Sequence, residues 1–171
     1  GPYNFSLYWS GSVRGYDEIR VSSKYQFYAG LPYFTFSSEI LVKEDVELML
    51  LRNDEMTMDS LFTHVTFLNP DGVVTTVDLY QGDGIEVLEK DPIPDDVSWL
   101  FLQNKKKQYA FGSIRLEYDN TNLSGNISPL YGEHTKITRS AGNGRYWNRR
   151  LINDHNTLIP GGSRYREKNA Y

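Results

Sequence analysis

The chain has 171 residues, of which 39% are apolar, 23% charged and 14% aromatic, enough apolar mass for a packed core and too much for wholesale disorder. It has no cysteine, which excludes disulfide scaffolds, thiol catalysis and Cys-ligated zinc, and no apolar run reaches the ~20 residues of a membrane-spanning helix. The net charge of −4 conceals a split: residues 1–133 carry 10 Lys/Arg against 20 Asp/Glu, and residues 134–171 carry 8 against 2.

Tyr3 to Trp9 reads as a strand from the start. Period-2 alternation then places Ile19, Val21, Tyr25 and Phe27 on one face, with Arg20, Ser22, Lys24 and Gln26 on the other. After Gly30-Leu31-Pro32 it resumes, with Phe34, Phe36, Ile40 and Val42 opposed by Thr35, Ser37, Glu39 and Lys43. The apolar run from Val46 to Leu51 predicts a strand covered on both faces. Residues 62–80 predict a hairpin around Asn69-Pro70-Asp71-Gly72, where Pro presets φ and Gly tolerates a positive one. Gly82-Asp83-Gly84 predicts a second turn, and Asp91-Pro92-Ile93-Pro94-Asp95-Asp96 a loop that breaks any ladder. Trp99 to Leu102 and Phe111 to Asp119 read as strands, with Lys105-Lys106-Lys107 at an exposed turn between them. Residues 119–132 read as a loop. His134 to Thr138 reads as a short strand, and Tyr146 to Ile152 as a strand or one helical turn. No amphipathic helix and no internal repeat stands out. The expected fold is all-β: a large antiparallel sandwich with long strands, formed by residues 1–171 as one domain. The abrupt ends suggest a piece of a longer chain, and the leading Gly-Pro resembles a protease-cleavage scar.

Candidate chemistry concentrates in residues 134–171. Asn143-Gly144-Arg145-Tyr146-Trp147-Asn148-Arg149-Arg150 interleaves rings with guanidiniums. Sugar rings stack on aromatic faces, and Arg grips carboxylates bidentately. Pro160-Gly161-Gly162-Ser163-Arg164-Tyr165-Arg166 offers a Gly-Gly turn whose amides could approach an anion, or a plain tight corner. The expected ligand-binding set is Arg139, Arg145, Tyr146, Trp147, Asn148, Arg149, Arg150, Arg164, Tyr165 and Arg166. A polysaccharide lyase needs a carboxylate-neutralising group, a base and an acid, and His134, Tyr131 and Tyr146 are the candidates for the proton work. The basic segment would alternatively pack on the acidic body. No metal centre or cofactor is expected. Asp91, Asp95 and Asp96 could together ligate a structural calcium, and otherwise form a solvated turn.

Tyr28-Ala29-Gly30-Leu31-Pro32-Tyr33-Phe34-Thr35-Phe36, followed by a long strand, resembles the sheets of galactose-mutarotase-like β-sandwiches. That family includes sugar epimerases and accessory sandwiches of polysaccharide lyases and glycoside hydrolases. Thr63-His64-Val65-Thr66-Phe67-Leu68-Asn69 is similar to the epimerase strand that carries a catalytic histidine, which implies that role for His64. Thr66 stands where the family has Tyr, Asn69 is displaced by one position, and the epimerase glutamate has no counterpart that can be placed. The resemblance covers residues 16–119.

Three function classes follow. The leading one is a carbohydrate-active sandwich that binds or helps process an anionic polysaccharide within a larger degrading enzyme, a reading that favours an extracellular or periplasmic setting. The second is a complete small epimerase. The third is a structural module assembling through contacts between acidic body and basic tail, with the parent chain or a second chain as partner. Nucleic acid is disfavoured, because the acidic body repels phosphates.

Overall fold

The computed structural model describes residues 2–171. Among them, in chain order, are β1 (Asn4–Val13), β2 (Tyr16–Tyr28), β3 (Phe34–Val42), β4 (Val46–Met58), β5 (His64–Leu68), β6 (Val74–Asp78), the helix α1 (Gly84–Lys90), β7 (Ile93–Pro94), β8 (Trp99–Asn104), β9 (Tyr109–Asp119), β10 (His134–Arg139), a 3₁₀ turn (Ala141–Asn143), β11 (Arg145–Ile159) and β12 (Arg164–Ala170). Two antiparallel sheets result, with strand orders β1-β2-β3-β12-β9-β8-β5-β6 and β4-β11-β10-β7, so the chain is an all-β sandwich. Among the described residues the one α-helix, α1, has seven residues.

The chain divides into two compact units. The first runs to Leu48 and adds Ser113–Pro129 and Asn156–Tyr171; the second comprises Met49–Gly112 and Leu130–His155. Each draws on both the acidic body and the basic segment.

In the first unit β1 pairs with β2, β2 with β3, β3 with β12 and β12 with β9. Strand alternation sorts the side chains. Tyr25, Phe27, Phe34, Phe36 and Tyr171 gather on one face, with Phe34 and Tyr171 stacked at 5.4 Å. Ile40, Val42 and Tyr165 continue that face into the core, where Ile19, Leu48 and Ile159 are also buried. A fully buried Val or Ile contributes about 1.5–3 kcal/mol, so this cluster holds the unit.

In the second unit β5 and β6 form the expected hairpin, His64 opposite Asp78 and Leu68 opposite Val74. Its turn is closed by the Gly72 N–H on the Asn69 carbonyl at 2.9 Å, with Gly72 at φ +82°. Val65, Leu100 and Leu102 lie within the core at 0% exposure, together with Leu151 and Ile152. Close approach requires glycine at position 112, where a Cβ would stand 2.3 Å from the Leu100 carbonyl oxygen.

Three local expectations are corrected. Val46 to Leu51 does not lie in a doubly covered strand: β4 is an edge, and Met49 is exposed. The Pro-rich stretch at 91–96 contains the two-residue β7, because Ile93 and Pro94 sit at an edge opposite Thr135 and His134, where Pro costs no ladder bond. The turn at Gly82-Asp83-Gly84 leads into α1, whose Ile85 and Leu88 are buried.

Candidate functional site

A groove of about 900 Å³ lies on the polar face of the first unit. Two cross-strand rows build it. Tyr8, Lys24, Ser37, Lys168 and Glu117 are successive register partners across β1, β2, β3, β12 and β9. Ser10, Ser22, Glu39, Arg166 and Asp119 form the next row. Between them Trp9, Ser23, Ser38, Glu167 and Tyr118 supply backbone to the groove and turn their side chains to the opposite face. The serines open the trough, because their side chains are short. Five strands at ~4.8 Å spacing give it a length of roughly 19 Å.

The electrostatics are balanced. Lys24, Arg166 and Lys168 face Glu39, Glu117 and Asp119 among the lining residues. Arg166 donates to the Asp119 carboxylate, and Lys168 Nζ lies 3.2 Å from Glu117. The Thr121 hydroxyl and backbone N–H, then Arg166, hold the Asp119 carboxyl well below the usual carboxylate range. Lys24 Nζ stands 5.4 Å from the centre of the Tyr8 ring, a cation–π contact. Tyr8 is itself 69% exposed, so one ring face remains open to a ligand.

The residues singled out from the sequence fall into three groups. Arg166 alone among them lines the groove. Arg164 is on the same strand face, with its Nε donating to the Thr121 carbonyl at 3.1 Å. Tyr165, one residue on, points into the core and donates to the Pro129 carbonyl at 2.7 Å; burial raises its phenol above the usual range.

The second group is interior. Arg145 donates to the Leu79 carbonyl through Nε at 2.9 Å and a terminal nitrogen at 2.5 Å, and lies 3.7 Å from the Tyr80 ring centre. Trp147 is 1% exposed, and Asn148 and Arg149 are 0% exposed. Arg149 Nε lies 3.8 Å from the Asp54 carboxylate. These side chains hold the second unit together rather than meeting solvent.

The third group shares the second unit without forming one cluster. His134 faces Arg150 across β10 and β11, and Tyr146 faces Thr138 four residues away, roughly 13 Å along the strand. That distance separates an acid from a base by several bond lengths too many for one sugar carbon. His134 Nδ1 lies 2.7 Å from the Gly132 carbonyl, and Arg150 Nε donates to Asn148 at 3.2 Å. Arg52 donates to the Tyr146 hydroxyl at 2.6 Å; burial, then Glu55, raises that phenol's pKa. Tyr131 stacks on His155 at 3.8 Å, a contact between exposed rings. Arg139 pairs with Glu86. His64 has both ring nitrogens engaged: Nδ1 is 2.7 Å from the Thr63 hydroxyl and Nε2 is 3.4 Å from Asp78. Burial raises the Asp78 pKa, but the Tyr80 and Gln81 N–H groups and His64 outweigh it and lower it overall.

The glycine corner at 160–163 is filled from within. Asp45 accepts the Gly161 N–H at 2.8 Å, and Gly162 donates to the Val42 carbonyl at 2.7 Å. The chain's own carboxylate thus takes the place an outside anion would occupy. Among the described residues, no group of three His, Asp or Glu side chains is placed to share a metal ion.

Sequence reasoning missed Tyr8, Lys24, Glu39, Glu117 and Lys168 as a group. The available signal was their outward parity, which the alternation already displays. No protein-family model matches this chain, and no curated protein matches it in sequence.

Proposed function

We propose that the chain is a carbohydrate-binding β-sandwich whose ligand lies in the groove across β1, β2, β3, β12 and β9. The observation that carries this reading is the groove's lining: a long trough on one sheet, with one open Tyr ring, three serine hydroxyls and paired charges. A sugar polymer is a chain of hydroxyls that both donate and accept, with apolar C–H faces. Carboxylates take the hydroxyl donors, cations and serines serve the acceptors, and Tyr8 offers the stacking face. Since three cations face three carboxylates, the fitting ligand is a hydroxyl-rich glycan of low net charge. A polyanion would meet Glu39, Glu117 and Asp119. This moves the reading away from the anionic polymer that the composition of residues 134–171 suggested. The separation of His134 from Tyr146 supports binding over catalysis.

Calorimetric titration with neutral and uronate oligosaccharides tests the reading. Neutral oligosaccharides are expected to bind, and Tyr8→Ala to weaken them about fivefold. Ser37→Trp fills the trough from its middle strand, β3, and abolishes binding, while circular dichroism and Tm stay near wild type. Absence of binding to every oligosaccharide by the folded protein sinks the proposal, as does binding that survives Ser37→Trp.

A further inference from the structure

We propose that β1 pairs antiparallel with β1 of a second copy of this chain, about a two-fold axis at Leu7. β1 is the outer strand of its sheet and, among the described residues, pairs only with β2. Natural sheets protect such edges with Lys, Pro, bulges or short strands. β1 has ten residues, Asn-Phe-Ser-Leu-Tyr-Trp-Ser-Gly-Ser-Val, with no charge and no proline; its one register shift is at the Ser12/Val13 end.

The pattern is self-complementary about Leu7. Antiparallel pairing places Phe5 against the second copy's Trp9, Leu7 against its counterpart, and Ser6 against Tyr8. The hydrogen-bond phase agrees. Tyr3 accepts from Ala29, so residues 3, 5, 7, 9 and 11 spend their backbone groups on β2, and Asn4, Ser6, Tyr8 and Ser10 aim theirs outward. Ser6 and Tyr8 then exchange two N–H···O=C bonds across the axis. Phe5, Leu7 and Trp9 fall at non-hydrogen-bonded sites, where Cα atoms approach to ~4.5 Å and aromatic pairs meet most closely. No like charges oppose each other, because the strand has none.

The area is sufficient. Tyr3, just before β1, and Phe5, Leu7 and Trp9, all on one face of it, are 80%, 61%, 53% and 56% exposed. With 150–250 Å² per aromatic side chain, two copies have on the order of 1,000 Å² of apolar surface to bury here, near the lower bound for a specific interface. The pairing also completes the groove. β1 forms one wall through Tyr8 and Ser10, and the second copy's Tyr8 would stand beside Ser6 on the same polar face, so two troughs join into one. That last consequence rests on the carbohydrate reading; the pairing itself does not.

The chain lacks cysteine, which gives a direct test. Leu7→Cys places two thiols across the axis within the ~4.4–6.8 Å Cα span of a disulfide. Under mild oxidation it is expected to cross-link rapidly, while Ser10→Cys, which faces Asn4 of the second copy, stays reduced. Light scattering should give a dimer for wild type and a monomer for Leu7→Lys with unchanged circular dichroism. A folded wild-type monomer at every concentration overturns the proposal, and so does equal cross-linking of Ser10→Cys. Titrating oligosaccharide into monomeric Leu7→Lys reads the groove separately, so failure of one proposal is distinguishable from failure of the other.

Discussion

β11 and β12 come from the same basic segment and use their arginines in opposite ways. β11 buries Arg145 and Arg149, and its Trp147, Asn148 and Arg149 are successive interior residues. β12 buries only alternate residues: Tyr165, Glu167 and Asn169 point inward, and Arg164, Arg166 and Lys168 outward. The difference is whether both faces of a strand are covered. A cation on a doubly covered strand becomes a structural element that must be matched by carbonyls or a carboxylate. A cation on a half-covered strand keeps its head in water and can meet a ligand.

The sharpest way to break this contrast is Arg149→Met. It removes the guanidinium whose Nε lies 3.8 Å from the Asp54 carboxylate, and loss of one member of a buried pair costs about 3–5 kcal/mol. Urea denaturation should show that loss, and adding Asp54→Asn should recover part of it. A ΔΔG near zero for Arg149→Met would mean that the interior of β11 is not set by this pair. Next in size is Arg145→Lys. A single ammonium cannot replace the two-pronged grip on the Leu79 carbonyl and the stacking on Tyr80, so about 1–3 kcal/mol is lost.

Arg166→Ala inverts the pattern. Its ion pair is exposed and contributes little to stability, so Tm should hold while oligosaccharide affinity falls. The smallest effect is the pH dependence of Asp119. Its folded-state pKa is depressed, so its contribution is present above the unfolded carboxyl value near ~3.9 and fades as pH falls through the folded value. The stability gap between wild type and Asp119→Asn should therefore exist at neutral pH and close in strong acid. A gap that widens on acidification would contradict the assigned cause.

Much of the fold was legible because half-covered strands write their environment as a period of two. That rule found β2, β3, β6 and β9, and the Asn-Pro-Asp-Gly turn found the β5–β6 hairpin. It failed where its premise fails. Tyr146 to Ile152 lacks alternation because interior neighbours occupy both parities. Val46 to Leu51 reads as doubly buried, yet it forms an edge where Met49 is solvated. Which residues share the groove was illegible for another reason. Tyr8, Lys24, Glu39, Glu117 and Arg166 lie far apart in the chain and become neighbours only through registers that no local pattern encodes. Clustering charges along the sequence pointed instead to β11, where proximity in sequence marks interior packing.

The unequal protection of the sheet edges determines how far association can proceed. β6, at the other end of the long sheet, has only five residues and ends on Asp78. β4 carries Glu47, Arg52 and Asp54, the last at φ +52°, and β7 has two residues, one of them proline. A head-to-tail filament needs two sticky edges, and these three are blunted. Joining through β1 consumes the one inviting edge of each copy, so growth terminates at a closed pair and the aromatic strand is kept out of fibres.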